Sequence, residues 1–436
     1  MRGLLSLIFA ASALLSVLNH EFQENFTALT NTRVVTITQG VIENGTVLME
    51  GDRIVAIGTD VEVPAGARII DCTGMTVYPG MIDSGTQMGL VEVGSLSETR
   101  DNTELGTLSP QMKALTAVNP NGVAIPVTRV NGVTTVLTEP SGGMLPGQAA
   151  LINLHGYTPS QMFAGFEGIS MQFPATGRRG RFDQRTDEQV QEATEKALKL
   201  LNDTWNSAEL HSRIDSTYQA RPESGRKPAY VPSMEALRPV VRGQQALVIS
   251  VNAARDILAA IEWVKERGLR NVIFTGLSEG WRVADQIAEA GIPCLVGPVL
   301  SVPTRPSDRF DKAYRNAALM HAAGVKIAIR SGETANARNL PYNAGFAVAY
   351  GLPYEEALRA VTINPAEIFG VDDRLGSLEA GKEATLFIAD GDPFETSTTI
   401  HHVFIGGYQI SMESRHTQLY EEFLNRSPGL ENRDGP

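Results

Sequence analysis

The side chains best suited to chemistry stand just past runs that read as β-strands. Glu139 follows the run 134–137, Glu279 follows 271–275, and Arg330 and Glu333 follow 325–329. A carboxyl such as Glu139, Glu279 or Glu333 acts as a general base when burial raises its pKa toward neutrality, and Arg330 suits an anionic group. Gln87, Ser141, Gln148 and Asn252 stand at comparable strand ends and would hold a polar substrate through amide and hydroxyl groups. The same residue types also cap loops or pair with an arginine, so position alone leaves both roles open. Ser141-Gly142-Gly143 has neither the Gly-x-Ser-x-Gly elbow of a nucleophilic serine nor the Gly-Lys-Ser/Thr of a phosphate loop. Asp71-Cys72-Thr73 offers no spaced histidine to activate a thiolate.

Bringing those residues together requires strands that deliver their ends to one face. Runs at 134–137, 246–251, 271–275, 294–299 and 325–329 are separated by helical stretches such as 253–267 and 280–290. The later strands recur about every 20 to 25 residues, the spacing of repeated βα units, which predicts an α/β fold with a parallel sheet or a TIM-type (β/α)8 barrel. In such a barrel, residues beyond the C-terminal strand ends line the functional mouth. The segment 157–244 interrupts this rhythm. It holds an amphipathic helix over 188–201, with Val190, Ala193, Ala197 and Leu201 on one side, and reads either as a lid or as a peripheral helical subdomain.

Both ends of the chain read as β structure. Turn signals at Glu43-Asn44-Gly45 and Glu50-Gly51-Asp52 separate short strands within 28–78, and more strands follow at 384–389, 402–405 and 408–410. Segments 28–78 and 380–412 are expected to form one composite β-sandwich domain flanking a barrel over 79–379, with a polar tail at 413–436. Cys72 and Cys294 are too few for a disulfide framework and are expected to be buried and unpaired.

Composition narrows the partners. A hydrophobic fraction of 42% and a charged fraction of 20% fit a globular protein with an ordinary core. A formal charge of -12 argues against nucleic acid and leaves a small-molecule ligand or substrate, with homo-oligomerisation open. Met1-Arg2-Gly3, an apolar run over 4–18 and a polar exit over 19–25 have the pattern of a secretory signal, taken as 1–22. This implies a periplasmic or otherwise exported protein, with an uncleaved anchor as the alternative.

One stretch carries a family resemblance. Tyr78-Pro79-Gly80-Met81-Ile82-Asp83-Ser84-Gly85-Thr86-Gln87-Met88-Gly89 resembles the first barrel strand of the metal-dependent amidohydrolases, which reads Pro-Gly-x-Ile-Asp-x-His-x-His. Gly142-Gly143 with Gly147 to Ile152, Asn339 to Gly345 running into Ala349-Tyr350-Gly351-Leu352-Pro353, and Thr362 to Ala366 with Gly376 to Lys382 extend the likeness in order. It covers roughly 28–410 and is strongest to imidazolonepropionase-like exported members. The resemblance implies a metal held by two histidines after strand one, a lysine or glutamate at strand four, histidines after strands five and six, and an aspartate after strand eight that activates a metal-bound water. Here the first pair is Gly85 and Gln87. The strand-five position falls near Ser250 or Asn252, the strand-six position near Thr275, and Gly332 stands at the aspartate position, or Glu333 one residue displaced.

Glycine supplies no ligand and an amide is a poor one. His20, His155, His211, His321, His401, His402 and His416 form no evident substitute cluster; His155 is the one that could approach the mouth. The resemblance therefore implies an amidohydrolase barrel with a degenerate metal site and no cofactor. Two functions follow: a small-molecule-binding or catalytically atypical homologue, or a hydrolase acting on C–N bonds of cyclic or linear amides or dipeptide-like substrates.

Overall fold

A computed structural model describes residues 26–177, 183–224 and 227–426. The expected signal over 1–22 lies outside the described residues. No described helix is long and apolar enough to cross a membrane. The chain forms two compact units, one of residues up to Gly80 with Asp372–Met412, the other of Met81–Val371 with the described residues after 412.

The first unit begins with five strands: β1 (Phe26–Val35), β2 (Val41–Glu50), β3 (Arg53–Gly58), β4 (Arg68–Asp71) and β5 (Thr76–Pro79). The turn expected at Glu43-Asn44-Gly45 is instead a bulge inside β2. Asn44 adopts φ 52° and Asn31 of β1 adopts φ 57°, a conformation asparagine tolerates better than most residues, so the ladder kinks and continues. The reversal comes earlier, where Thr36 N–H donates to Gly40 O at 3.0 Å.

The second unit holds an eight-stranded barrel sheet. Its strands are β6 (Met81–Thr86), β7 (Val133–Thr138), β8 (Gly147–Asn153), β9 (Phe163–Gln172), β10 (Ala246–Val251), β11 (Val272–Gly276), β12 (Cys294–Val296) and β13 (Ile327–Ile329), ordered in sequence. All neighbours run parallel except β8, which is antiparallel to β7 and β9. The loop from Glu139 to Pro146 explains the reversal: a parallel return needs about a dozen residues or more, and this loop is long enough only for a hairpin. The two edges come together through Ser84 Oγ, which donates to Ile329 O at 2.9 Å, and Gly332 N–H, which donates to Gly85 O at 3.0 Å. This nearly closes the barrel. Cys294 on β12 and Cys72 in the first unit are both buried and free.

β9 falls inside the segment 157–244 that breaks the βα rhythm. Gly165 and Gly168 interrupt its apolar run, which hides the strand from a periodicity reading. The remainder of that segment is dominated by α1 (Asp187–Ala220), opened by a capping box between Thr186 and Gln189. The helix is far longer than 188–201. Its buried stripe runs from Val190 through Leu201, Trp205 and Ala208, while Ala193 stays exposed. Trp205 packs edge-on against Trp263 of α2 (Ala254–Glu266) with ring centres 5.1 Å apart. α1 thus clads an outer barrel helix, and none of its residues lines the mouth cavities described below.

The chain then returns to the first unit with β14 (Leu386–Ala389), β15 (Ile400–Ile405) and β16 (Tyr408–Gln409). β14 pairs antiparallel with β5, placing all eight strands in one composite sheet. Val47, Met49 and Ile54 from one wing share a buried cluster with Leu386, Ile388 and Phe404 from the other, so the sheet folds over its own apolar face. Tyr78 stacks on Phe387 across the β5–β14 junction, with ring centres 5.2 Å apart.

Candidate active site

At the C-terminal ends of the barrel strands, three elements converge on one guanidinium. Arg330 directly follows β13. Its Nη2 donates to Glu139 Oε2, just past β7, at 2.6 Å, and its Nη1 donates to Thr275 Oγ1 on β11. Both members of the ion pair are 13% exposed. Its Nε is buried and has no hydrogen-bond partner among the described residues. Beneath it lies Gly85 of β6, where a Cβ would stand 2.6 Å from Arg330 Cζ. Any side chain at 85 would displace the arginine.

Asp83 sits two residues earlier on β6 and is fully buried. Its carboxylate accepts from Ser331 Oγ, from Ser331 N–H at 3.0 Å and from Gly85 N–H at 3.2 Å. Burial pushes its pKa up to about 6, although those donors and the Arg330 charge pull the other way. Glu139 is also raised by burial, against the Coulomb attraction and hydrogen bond of Arg330.

Above this floor lies a cavity of about 150 Å³ bounded by Gln87, Glu139, Ser141, Gln172, Ser250 and Arg330. A second hollow of about 510 Å³ shares Ser250, Arg330 and Gly332 with it and adds Asn252, Glu333, Asn336 and Asn339. Hydroxyls and amides dominate both. Such a lining suits a small polar molecule that exchanges several hydrogen bonds.

The fold and sequence have known counterparts. The amidohydrolase family model matches residues 252–410. An amidohydrolase from Thermotoga maritima superposes with a TM-score of 0.76 at 25% identity, covering 88% of this chain and 99% of that one. The chain has the amidohydrolase-superfamily fold. The imidazolonepropionase of Shouchella clausii is 25% identical over 82% of this chain and 82% of its own length. The amidohydrolase tasK of Hapsidospora irregularis is 23% identical over 83% of this chain, which spans 39% of that longer protein.

The resemblance of the first barrel strand implies a metal held at positions 85 and 87 with partners near 275 and 332, and the residues present do not fit one. Gly85 offers no donor and no room, Gln87 an amide, Thr275 a hydroxyl already bonded to Arg330, and Gly332 nothing. Among the described residues no group of three or more His, Cys, Asp or Glu could hold a metal ion. The metal site is degenerate, and a fixed guanidinium fills the space.

Of the residues selected from sequence, Gln87, Glu139, Ser141 and Arg330 meet in the smaller cavity. Asn252 and Glu333 line the adjoining hollow. Glu279 and Gln148 stand elsewhere. Burial opposes ionisation of Glu279, yet hydrogen bonds from Arg305 and from Ala254 N–H, with the charges of Arg305 and Arg282, hold its pKa below the ordinary value. Gln148 is buried away from both cavities, donating to Pro110 O at 3.2 Å. His155 follows β8, whose reversed direction carries it toward the opposite end of the barrel from Glu139. Sequence reasoning passed over Asp83 and Ser331 as site residues. An ionisable side chain in the otherwise apolar Met81-Ile82-Asp83 start of a strand was the available signal.

Proposed function

We propose that this protein binds a small polar molecule at the barrel mouth, over a floor where the Arg330–Glu139 pair stands in place of a metal. The observation that carries the reading is the Arg330 guanidinium, held by Glu139 and Thr275 over a glycine that leaves it room. The ion pair neutralises the floor, so recognition falls to Gln87, Ser141, Gln172 and Ser250, which favours an uncharged, hydrogen-bonding group such as an amide or lactam at that point. The likeness to imidazolonepropionases supports a compact, nitrogen-containing ligand. The apolar run over 4–18 supports export.

A second reading, metal-independent hydrolysis of a C–N bond, is favoured by Asp83. A carboxyl titrating at about 6 is tuned toward general-base work, although it lies beneath Gly85 and outside the cavity lining. Calorimetric screening of amides, lactams and their acid products, with product analysis in parallel, separates the two. The binding reading predicts saturable association that a chelator leaves unchanged, weakened about tenfold or more by Ser141→Ala with Gln87→Leu. Turnover that requires an added metal would overturn both.

A further inference from the structure

Beside the mouth lies a cavity with a surplus positive charge. It measures about 230 Å³ and is enclosed by the segments that follow β11 and β12, together with the start of α3 (Lys312–Ala322). It shares Asn252, Gly276, Gly297 and Pro298 with the larger mouth hollow, so the two adjoin. Its polar lining includes Ser278, Ser301 and Thr304, and its one charged residue is Lys312.

That lysine is held in place without a carboxylate. Its Nζ lies 4.4 Å from the centre of the Trp281 ring, whose other cationic neighbour is the Arg282 guanidinium at 4.1 Å. The acidic side chains of this region are engaged by arginines. Glu279 pairs with Arg305, Asp308 with Arg282, and Asp311 with Arg309 at 3.2 Å. Lys312 makes no ion pair among the described residues. It also opens a helix, where a positive charge opposes the helix dipole, so helix stability does not account for it.

We propose that this cavity is an anion subsite, in which Lys312 and the surrounding hydroxyls bind a single oxyanion, a carboxylate or a phosphate monoester, carried by a small molecule. An ammonium on a flexible stem acts as a point charge that accepts either geometry. The floor at Arg330 is already neutralised by Glu139, and the adjoining hollow carries the carboxylate of Glu333, so Lys312 is the cation offered to an anion within its own cavity. A ligand spanning both would place its uncharged end over Arg330 and its anionic end at Lys312. Only this spanning arrangement rests on the reading given above; the anion subsite itself does not.

The test uses the fluorescence of Trp281, which lies directly under the ammonium. Wild-type protein is titrated with inorganic phosphate and, separately, with acetate at constant ionic strength, and Trp281→Phe assigns the signal. The proposal predicts saturable change with at least one anion, weakened about ten- to a hundredfold in Lys312→Gln and largely kept in Lys312→Arg. The stronger of the two anions tells phosphate from carboxylate. Thermal melting confirms that each variant is folded. No saturation in the wild type, or saturation unchanged in Lys312→Gln, would overturn the subsite. The second result would move the anion to another cation such as Arg330.

Discussion

The barrel contains two buried carboxylate–arginine clusters that look alike in composition and differ in consequence. At Glu279, two arginines and a backbone N–H surround one carboxylate, and its pKa falls. At the mouth, one arginine faces Glu139 with Asp83 buried beneath, and both carboxyls are raised. The first cluster sets two cations against a single acid and pins a loop to α2. The second shares a single cation among acids at the base of a cavity. Positive charges per carboxylate, together with depth of burial, separate a clamp from a group left responsive to its surroundings.

The largest expected effect comes from removing the shared cation. Arg330→Met leaves Glu139 buried without its partner and should cost about 3–5 kcal/mol in urea unfolding at pH 7, because an uncompensated charge remains in place. Adding Glu139→Gln should restore much of that loss. A single-variant cost under about 1 kcal/mol would erase the distinction between the clusters.

Asp83 provides the next test. Its folded pKa of about 6 lies above the unfolded value near 3.8, so the fold favours the proton. Stability from this group is full below about pH 3.8, falls as pH rises to about 6, and then levels off after a loss of about 3 kcal/mol. The difference in unfolding free energy between Asp83→Asn and wild type should therefore grow across that window. A flat difference would show that Asp83 ionises normally.

Glu279 should behave with the opposite sign. Its lowered pKa gives stability that is present above about pH 4.5 and lost as pH falls through the folded value. Glu279→Gln should cost about 1–3 kcal/mol at pH 7 and leave ligand binding at the mouth unchanged. Altered binding would join the two clusters functionally. The smallest effect belongs to an exposed reference pair, Lys199–Asp203 on α1, where Lys199→Ala should shift stability by no more than about 0.5 kcal/mol.

The fold was far more legible than the site. Runs such as 246–251 announce β10 residue for residue, because a strand buried on both faces reads as continuous apolar sequence. β9 was hidden by its glycines, and the antiparallel β8 was not read as a strand because the βα spacing is evident only among the later strands. At the site, the gaps at Gly85, Gln87 and Gly332 were readable as missing donors. Their replacement was not. Arg330 reaches Glu139 across 191 positions of chain and Thr275 across 55, and no local pattern records such a contact. For the same reason Glu279 and Glu139 were indistinguishable in sequence: each is a glutamate past a strand, and only the arginines around it and its depth of burial separate them.

The central claim is that Arg330 takes the place of a metal. Its most direct test is the metal content of tag-free protein after incubation with zinc, manganese or nickel and exhaustive buffer exchange. The account predicts content far below one ion per chain, with unfolding unaffected by the incubation. Near-stoichiometric retention by folded protein would contradict it, since Arg330 and a tightly bound cation cannot share the space above Gly85.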